Sequence, residues 1–175
     1  MKRLFSTLLM LALLGLGVAA LYLAPTPLPV VVSPIEGQID RIIISKSARQ
    51  MVLLQDGKEL RRYRVALGFA PTGDKARQGD GRTPEGQFRI NRRNPQSRFY
   101  LSLGLDYPQA DDRARAKAGG YDPGGDIMIH GQPNAMPVGM KAKGDWTAGC
   151  IALSNAQMDE VWAAAPVGTP VEIRP

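Results

Sequence analysis

From Gln38 onward the apolar residues come in short, β-branched runs broken by glycine, proline and aspartate. Runs of that length build strands, and the breakers between them leave room only for short helices. Arg41 to Ser45 (RIIIS) and Gln50 to Leu54 (QMVLL) read as the first two strands. Asp56-Gly57 is a two-residue hairpin signal, since a type I′ turn needs positive φ at both positions. It predicts a third strand over Lys58 to Leu67. Gln87 to Asn91, Phe99 to Gly104, Asp126 to His130 and Val171 to Arg174 read as further strands. The stretch from Pro71 to Gly86 is too polar for a core and ends in the turn signature Thr83-Pro84-Glu85-Gly86.

Two short helices fit between these runs. The first, Gln109 to Ala118, carries Asp111 and Asp112 early and Arg115 and Lys117 late, which matches the helix dipole. Gly119-Gly120 is its stop. The second opens on Ser154 with Gln157 three residues on, a capping box, and runs through Met158, Val161 and Trp162 until Pro166. The expectation is one mainly β domain, sandwich- or barrel-like with two short helices, over residues 38–175. A chain of 175 residues has room for little more.

The N-terminus reads as a targeting segment. Lys2 and Arg3 precede an uncharged apolar run from Leu4 to Ala24, 21 residues that predict an apolar helix. Positive residues, then a greasy core, then small residues is the order that directs export. The run is long enough to stay as an inner-membrane anchor, and Val18-Ala19-Ala20 offers a cleavage site for a signal peptide. Either way, the rest of the chain is expected in the periplasm or cell envelope. Residues 25–37, with Pro25, Pro27, Pro29 and Pro34, read as an extended linker. Without Lys2 and Arg3 the formal charge falls from +6 to +4. No dense basic stripe interleaved with aromatics remains, which argues against nucleic acid as the partner.

The chain holds one cysteine, Cys150, and one histidine, His130. An intramolecular disulfide is therefore impossible, and so is a Cys/His zinc site with its three or four ligands. No metal or cofactor motif is present. His130 ends an apolar strand and is followed by Gly131. Cys150 follows Gly149, whose backbone can turn sharply, and precedes the capped helix. A free thiol is only a few per cent thiolate at neutral pH, and a neighbouring imidazole that takes its proton supplies the nucleophile. The pair is therefore a candidate dyad for acyl transfer. A buried structural thiol and a hydrogen-bonded strand-end histidine are the plain alternatives. Ser-x-x-Lys, Gly-x-Ser-x-Gly and His-Glu-x-x-His are all absent.

His130-Gly131 and, sixteen residues on, Thr147-Ala148-Gly149-Cys150 resemble the signature of the L,D-transpeptidase (YkuD-like) catalytic domain of bacterial cell-wall enzymes. That signature is a histidine followed at this spacing by Ser/Thr-His-Gly-Cys. Gly79 to Phe88 looks like the family's Thr-Pro-x-Gly hairpin, and Ile43 to Val65 resembles its first strands. The likeness covers residues 38 to 174. It implies Cys150 as nucleophile, His130 as general base, and the N–H groups of Gly149 and Cys150 as the oxyanion site. Asp145, Trp146, Thr147, Gly131 and Arg82 become candidates for lining the substrate cleft. The implied substrate is the peptidoglycan stem peptide, attacked at its third residue with loss of the terminal D-alanine. An amine then resolves the thioester, giving a 3→3 crosslink or protein attachment. Water as acceptor would instead make a carboxypeptidase or endopeptidase. Carbapenems are implied covalent inhibitors. Two positions depart from the family: Ala148 replaces a second histidine, and Ala152 replaces arginine or asparagine. A wall-binding module that has lost turnover is the reading those departures leave open.

Overall fold

Strand β1 (Arg41–Ser45) buries Ile42 and Ile44 and turns its other residues outward. It pairs antiparallel with β2 (Gln50–Gln55), where Met51 and Leu53 are buried in the same alternation. Each such side chain removed from water is worth about 1.5–3 kcal/mol. Asp56 and Gly57 both adopt positive φ, 51° and 72°, and close the expected hairpin into β3 (Lys58–Arg64). In this computed structural model, residues 33–137 and 140–175 are described. The expected apolar helix, its role as signal or anchor, and linker residues 25–32 lie outside them. Among the described residues, no helix is long and apolar enough to cross a membrane.

The remaining strands are β4 (Gly86–Ser97), β5 (Tyr100–Leu105), β6 (Met128–His130), β7 (Ile151–Ala152) and β8 (Pro170–Arg174). Their order across the sheet is β3-β2-β1-β8-β4-β5-β6-β7. Strand β4 turns the corner. Its first residues, Gly86 to Arg89, pair with β8, and Ile90 to Ser97 pair with β5. The sheet curls far enough for its two ends to touch. Ala66, just past β3, exchanges backbone hydrogen bonds with Ala152 at 3.0 and 2.8 Å, and Phe69 N–H donates to Thr147 O at 2.9 Å. The result is a mainly β half-barrel with two helices, as the sequence led one to expect.

Helix α1 (Ala110–Gly119) buries only Ala116 and ends on Gly120 at φ 68°. Helix α2 (Asn155–Ala164) starts with the expected capping box, Ser154 and Gln157 bonding reciprocally at 3.2 and 3.3 Å. It packs Met158, Val161 and Ala164 into the core. Two differences from the sequence reading matter for the site. Strand β4 continues to Ser97 instead of stopping near Asn91, because its polar residues face a groove and need no apolar pattern. The third strand stops at Arg64, and Val65 to Leu67 serve the closure of the barrel instead.

Candidate active site

Register places the two candidate residues on one face. Ile129 and His130 pair with Ile151 and Ala152, so Cys150 falls beside Met128, diagonal to His130. Across the sheet, Asn94, Ser102, His130 and Ala152 form one row. Arg92, Gly104 and Met128 form the next, which ends at Cys150. Between them, Leu103, Ile129 and Ile151 point to the opposite face and are fully buried. Side-chain period two thus sorts core from site. A groove of about 370 Å³ runs along the polar face, and Arg92, Asn94, Arg98, Phe99, His130 and Cys150 are among the residues lining it.

His130 is 4% exposed. Its Nδ1–H donates to the Gly131 carbonyl at 2.7 Å, which leaves Nε2 as the basic nitrogen. Two aromatic rings hold the imidazole in place. Phe99 lies over it with centroids 4.6 Å apart, and Trp146 packs edge-on at 5.7 Å. The Trp146 Nε1–H has no hydrogen-bond partner among the described residues, so the indole serves through its ring. Burial holds the imidazole below its ordinary pKa, against the opposing pull of the Gly131 carbonyl. Burial pushes the Cys150 thiol up, and the Met128 N–H pulls it down. The thiol donates to Asp126 O at 3.4 Å. At neutral pH the resting pair is therefore an uncharged thiol and an uncharged imidazole.

The turn carrying Cys150 is built by Thr147 and Gly149. Thr147 Oγ1 donates to Cys150 O at 2.7 Å and accepts Gly149 N–H at 3.1 Å. Gly149 adopts φ +135°, and a Cβ there would stand 2.6 Å from the Arg82 carbonyl oxygen. Only glycine fits. Of the two expected oxyanion donors, Gly149 N–H is thus committed to Thr147, and Cys150 N–H is the one left to face a ligand.

The expected lining residues divide. Trp146 and Gly131 touch His130, through the indole ring and the carbonyl respectively. Thr147 is buried and shapes the turn. Arg82 approaches the turn with its carbonyl, while its guanidinium reaches away to Asp74 O. Asp145 is held by Arg49 at 3.0 Å and by Leu67 N–H at 3.0 Å, and it lines a separate cavity of about 280 Å³ with Arg64, Lys141 and Ala152. Sequence reasoning missed Phe99 and the polar wall of β4. The alternation Arg92-x-Asn94-x-Gln96-x-Arg98 was the available signal, obscured by Pro95.

Comparison with known proteins finds similar sequences and similar folds. The family model described as YkuD, L,D-transpeptidase catalytic domain, matches residues 39–173. The Escherichia coli K12 protein named "Putative L,D-transpeptidase YafK" is 31% identical over 102 residues, 57% of this chain and 35% of that protein. The chain thus spans about a third of the length of that curated relative. Among solved structures, the helical cell shape determining protein Pgp2 of Campylobacter jejuni superposes with a TM-score of 0.60 at 25% identity, over 79% of this chain and 48% of that one. An L,D-transpeptidase of Xylanimonas cellulosilytica shares the fold, with a TM-score of 0.50 at 19% identity over 89% of this chain and 67% of its own.

Proposed function

The chain belongs to the YkuD family of L,D-transpeptidase catalytic domains, and from that premise we propose that it performs cysteine-dependent acyl transfer on peptidoglycan stem peptides. The observation that carries this reading is the sharing of one groove by Cys150 and the ring-clamped His130. Nε2 of His130 takes the thiol proton as Sγ bonds to the carbonyl carbon of the third stem residue. The oxygen becomes an oxyanion facing Cys150 N–H. Collapse breaks the amide bond, and the leaving D-alanine nitrogen takes the proton back from Nε2. The thioester is then resolved by an amine on a neighbouring stem or a protein. His130 removes a proton from that amine, and the thiol is restored.

Neutral resting partners suit this sequence, because the proton moves only once substrate shields the groove from water. Replacement of a second histidine by Ala148 leaves the scheme intact, since Ala148 lies at the exposed outer edge of the turn. The similarity to Pgp2, a helical cell shape determining protein, supports wall remodelling as the setting. Export to the envelope follows from the same substrate.

Incubation of the chain with tetrapeptide muropeptides, followed by mass analysis, tests the reading. D-alanine release with new 3→3 dimers is expected, together with a carbapenem adduct on Cys150, and Cys150→Ser should lose all three at unchanged melting temperature. Shortened monomers without dimers would make water the acceptor. Persistent turnover in Cys150→Ser would remove Cys150 from the mechanism.

A further inference from the structure

The groove holds a cation that the steps above leave unused. Arg92 starts the row that passes through Gly104 and Met128 to Cys150. Position 104 is glycine, and the arginine side chain occupies the space so vacated. A Cβ there would meet Arg92 Cγ at 2.6 Å and Cζ at 2.9 Å. The guanidinium is thereby laid across β5 toward β6. It donates to Asp126 Oδ1 at 2.7 Å and reaches Met128 Sδ at 4.0 Å. Asp126 is also the residue whose backbone carbonyl accepts the Cys150 thiol at 3.4 Å. One residue thus offers its carbonyl to the sulfur and its carboxylate to the arginine.

We infer that Arg92 is a specificity-determining residue that binds the C-terminal carboxylate of the stem peptide, and that Asp126 fills its place until substrate arrives. The inference rests on the acyl-transfer reading and names the part of the substrate the groove selects. Covalent spacing supports it. In Asp126 the carboxylate carbon lies three bonds from the carbonyl carbon presented to the sulfur. In a stem tetrapeptide the terminal carboxylate carbon also lies three bonds from the scissile carbonyl carbon. The planar guanidinium suits two parallel bonds to either carboxylate. With 87% of the Asp126 side chain and 41% of that of Arg92 exposed, their ion pair is weakly held and open to displacement. A pentapeptide would carry its carboxylate one residue too far, so the same contact selects tetrapeptides.

Binding separates this proposal from the chemistry. The Cys150→Ala chain is titrated calorimetrically with a stem tetrapeptide ending in a free carboxylate and with the same peptide ending in a carboxamide. The carboxylate form should bind about 10- to 100-fold more tightly. Arg92→Ala should erase that preference while leaving carboxamide binding unchanged, and Arg92→Lys should restore part of it. Asp126→Asn, tolerated at φ +54°, should tighten the carboxylate form several-fold. Equal affinity for the two peptides, equal weakening of both by Arg92→Ala, or binding of neither overturns the assignment. Turnover by the unmutated chain is measured alongside. Carboxylate-dependent binding without D-alanine release would leave Arg92 in its role and sink the acyl-transfer reading instead.

Discussion

His130 and Cys150 are governed by opposite effects of one cause. Taking an imidazole out of water lowers its pKa, and taking a thiol out of water raises it, because burial disfavours whichever form is charged. A base with a lowered pKa stays deprotonated further into acid. The acid limb of kcat/KM for D-alanine release should therefore have its midpoint below pH 6.5, and His130→Gln should remove the limb while costing roughly 100-fold or more in rate. The thiol shift runs the other way. Iodoacetamide modification of Cys150 in the ligand-free chain should follow a curve displaced to higher pH than that of a free cysteine. A midpoint below a free cysteine's would mean a resting ion pair and contradict the neutral thiol bonded to Asp126 O.

At the scale of elements, the polar segment between β3 and β4 is ordered by buried charge instead of apolar contacts. Lys46, 2% exposed, ties it to β1 through Gly73 O, Thr83 O and Glu85. Asp80 ties it to itself, accepting Lys75 Nζ and the N–H groups of Ala76, Arg77 and Arg82. Burial alone would raise the Asp80 pKa. The Lys75 bond and the three N–H groups overrule it and hold the carboxyl well below the usual range. A depressed folded-state pKa adds stability above the unfolded value near 4, and that stability drains away as pH falls through the folded one. Asp80→Asn should cost about 1–3 kcal/mol at pH 7. Its melting temperature should also fall less steeply than that of the unmutated chain between pH 5 and pH 3. Parallel acid limbs in the two melting series would contradict this account. Because the Arg82 carbonyl abuts Gly149, loosening this segment should reach the turn that carries Cys150 and lower D-alanine release as well.

At the scale of the molecule, two features bind the half-barrel into one cooperative unit. Strand β4 belongs to both halves of the sheet, and the bridges from Ala66 and Gly68 to Ala152 and Thr147 join its ends. Helix α2 then seals the core, with Arg93 lying 3.9 Å over Trp162 and donating to the carbonyls of Trp162 and Ala165. Neither half retains a complete core without the other. Thermal unfolding of residues 33–175 should therefore give coincident transitions by far-UV dichroism and by fluorescence of Trp146 and Trp162. Separated midpoints would mean that the His130–Cys150 half melts independently.

The sequence alone determined most of the short strands, the Asp56-Gly57 turn and both helix caps, and it singled out His130 and Cys150 as the candidate pair. The pair was singled out by its resemblance to a family signature, whereas the strands, the turn and the caps follow from φ/ψ preference and burial period within a few neighbouring residues. Gly149 was legible for the same local reason as the caps, since the sharp turn before Cys150 is a local demand. Only the tertiary structure decided what surrounds that pair. Phe99 and Trp146 clamp the imidazole, Asp145 and the Arg82 guanidinium turn away from the thiol, and Arg92 crosses the empty Cβ position of Gly104 to Asp126. The physical reason is register. Which residues share the site face depends on how strands distant in the chain align, and a slip of one residue would exchange that face for the core.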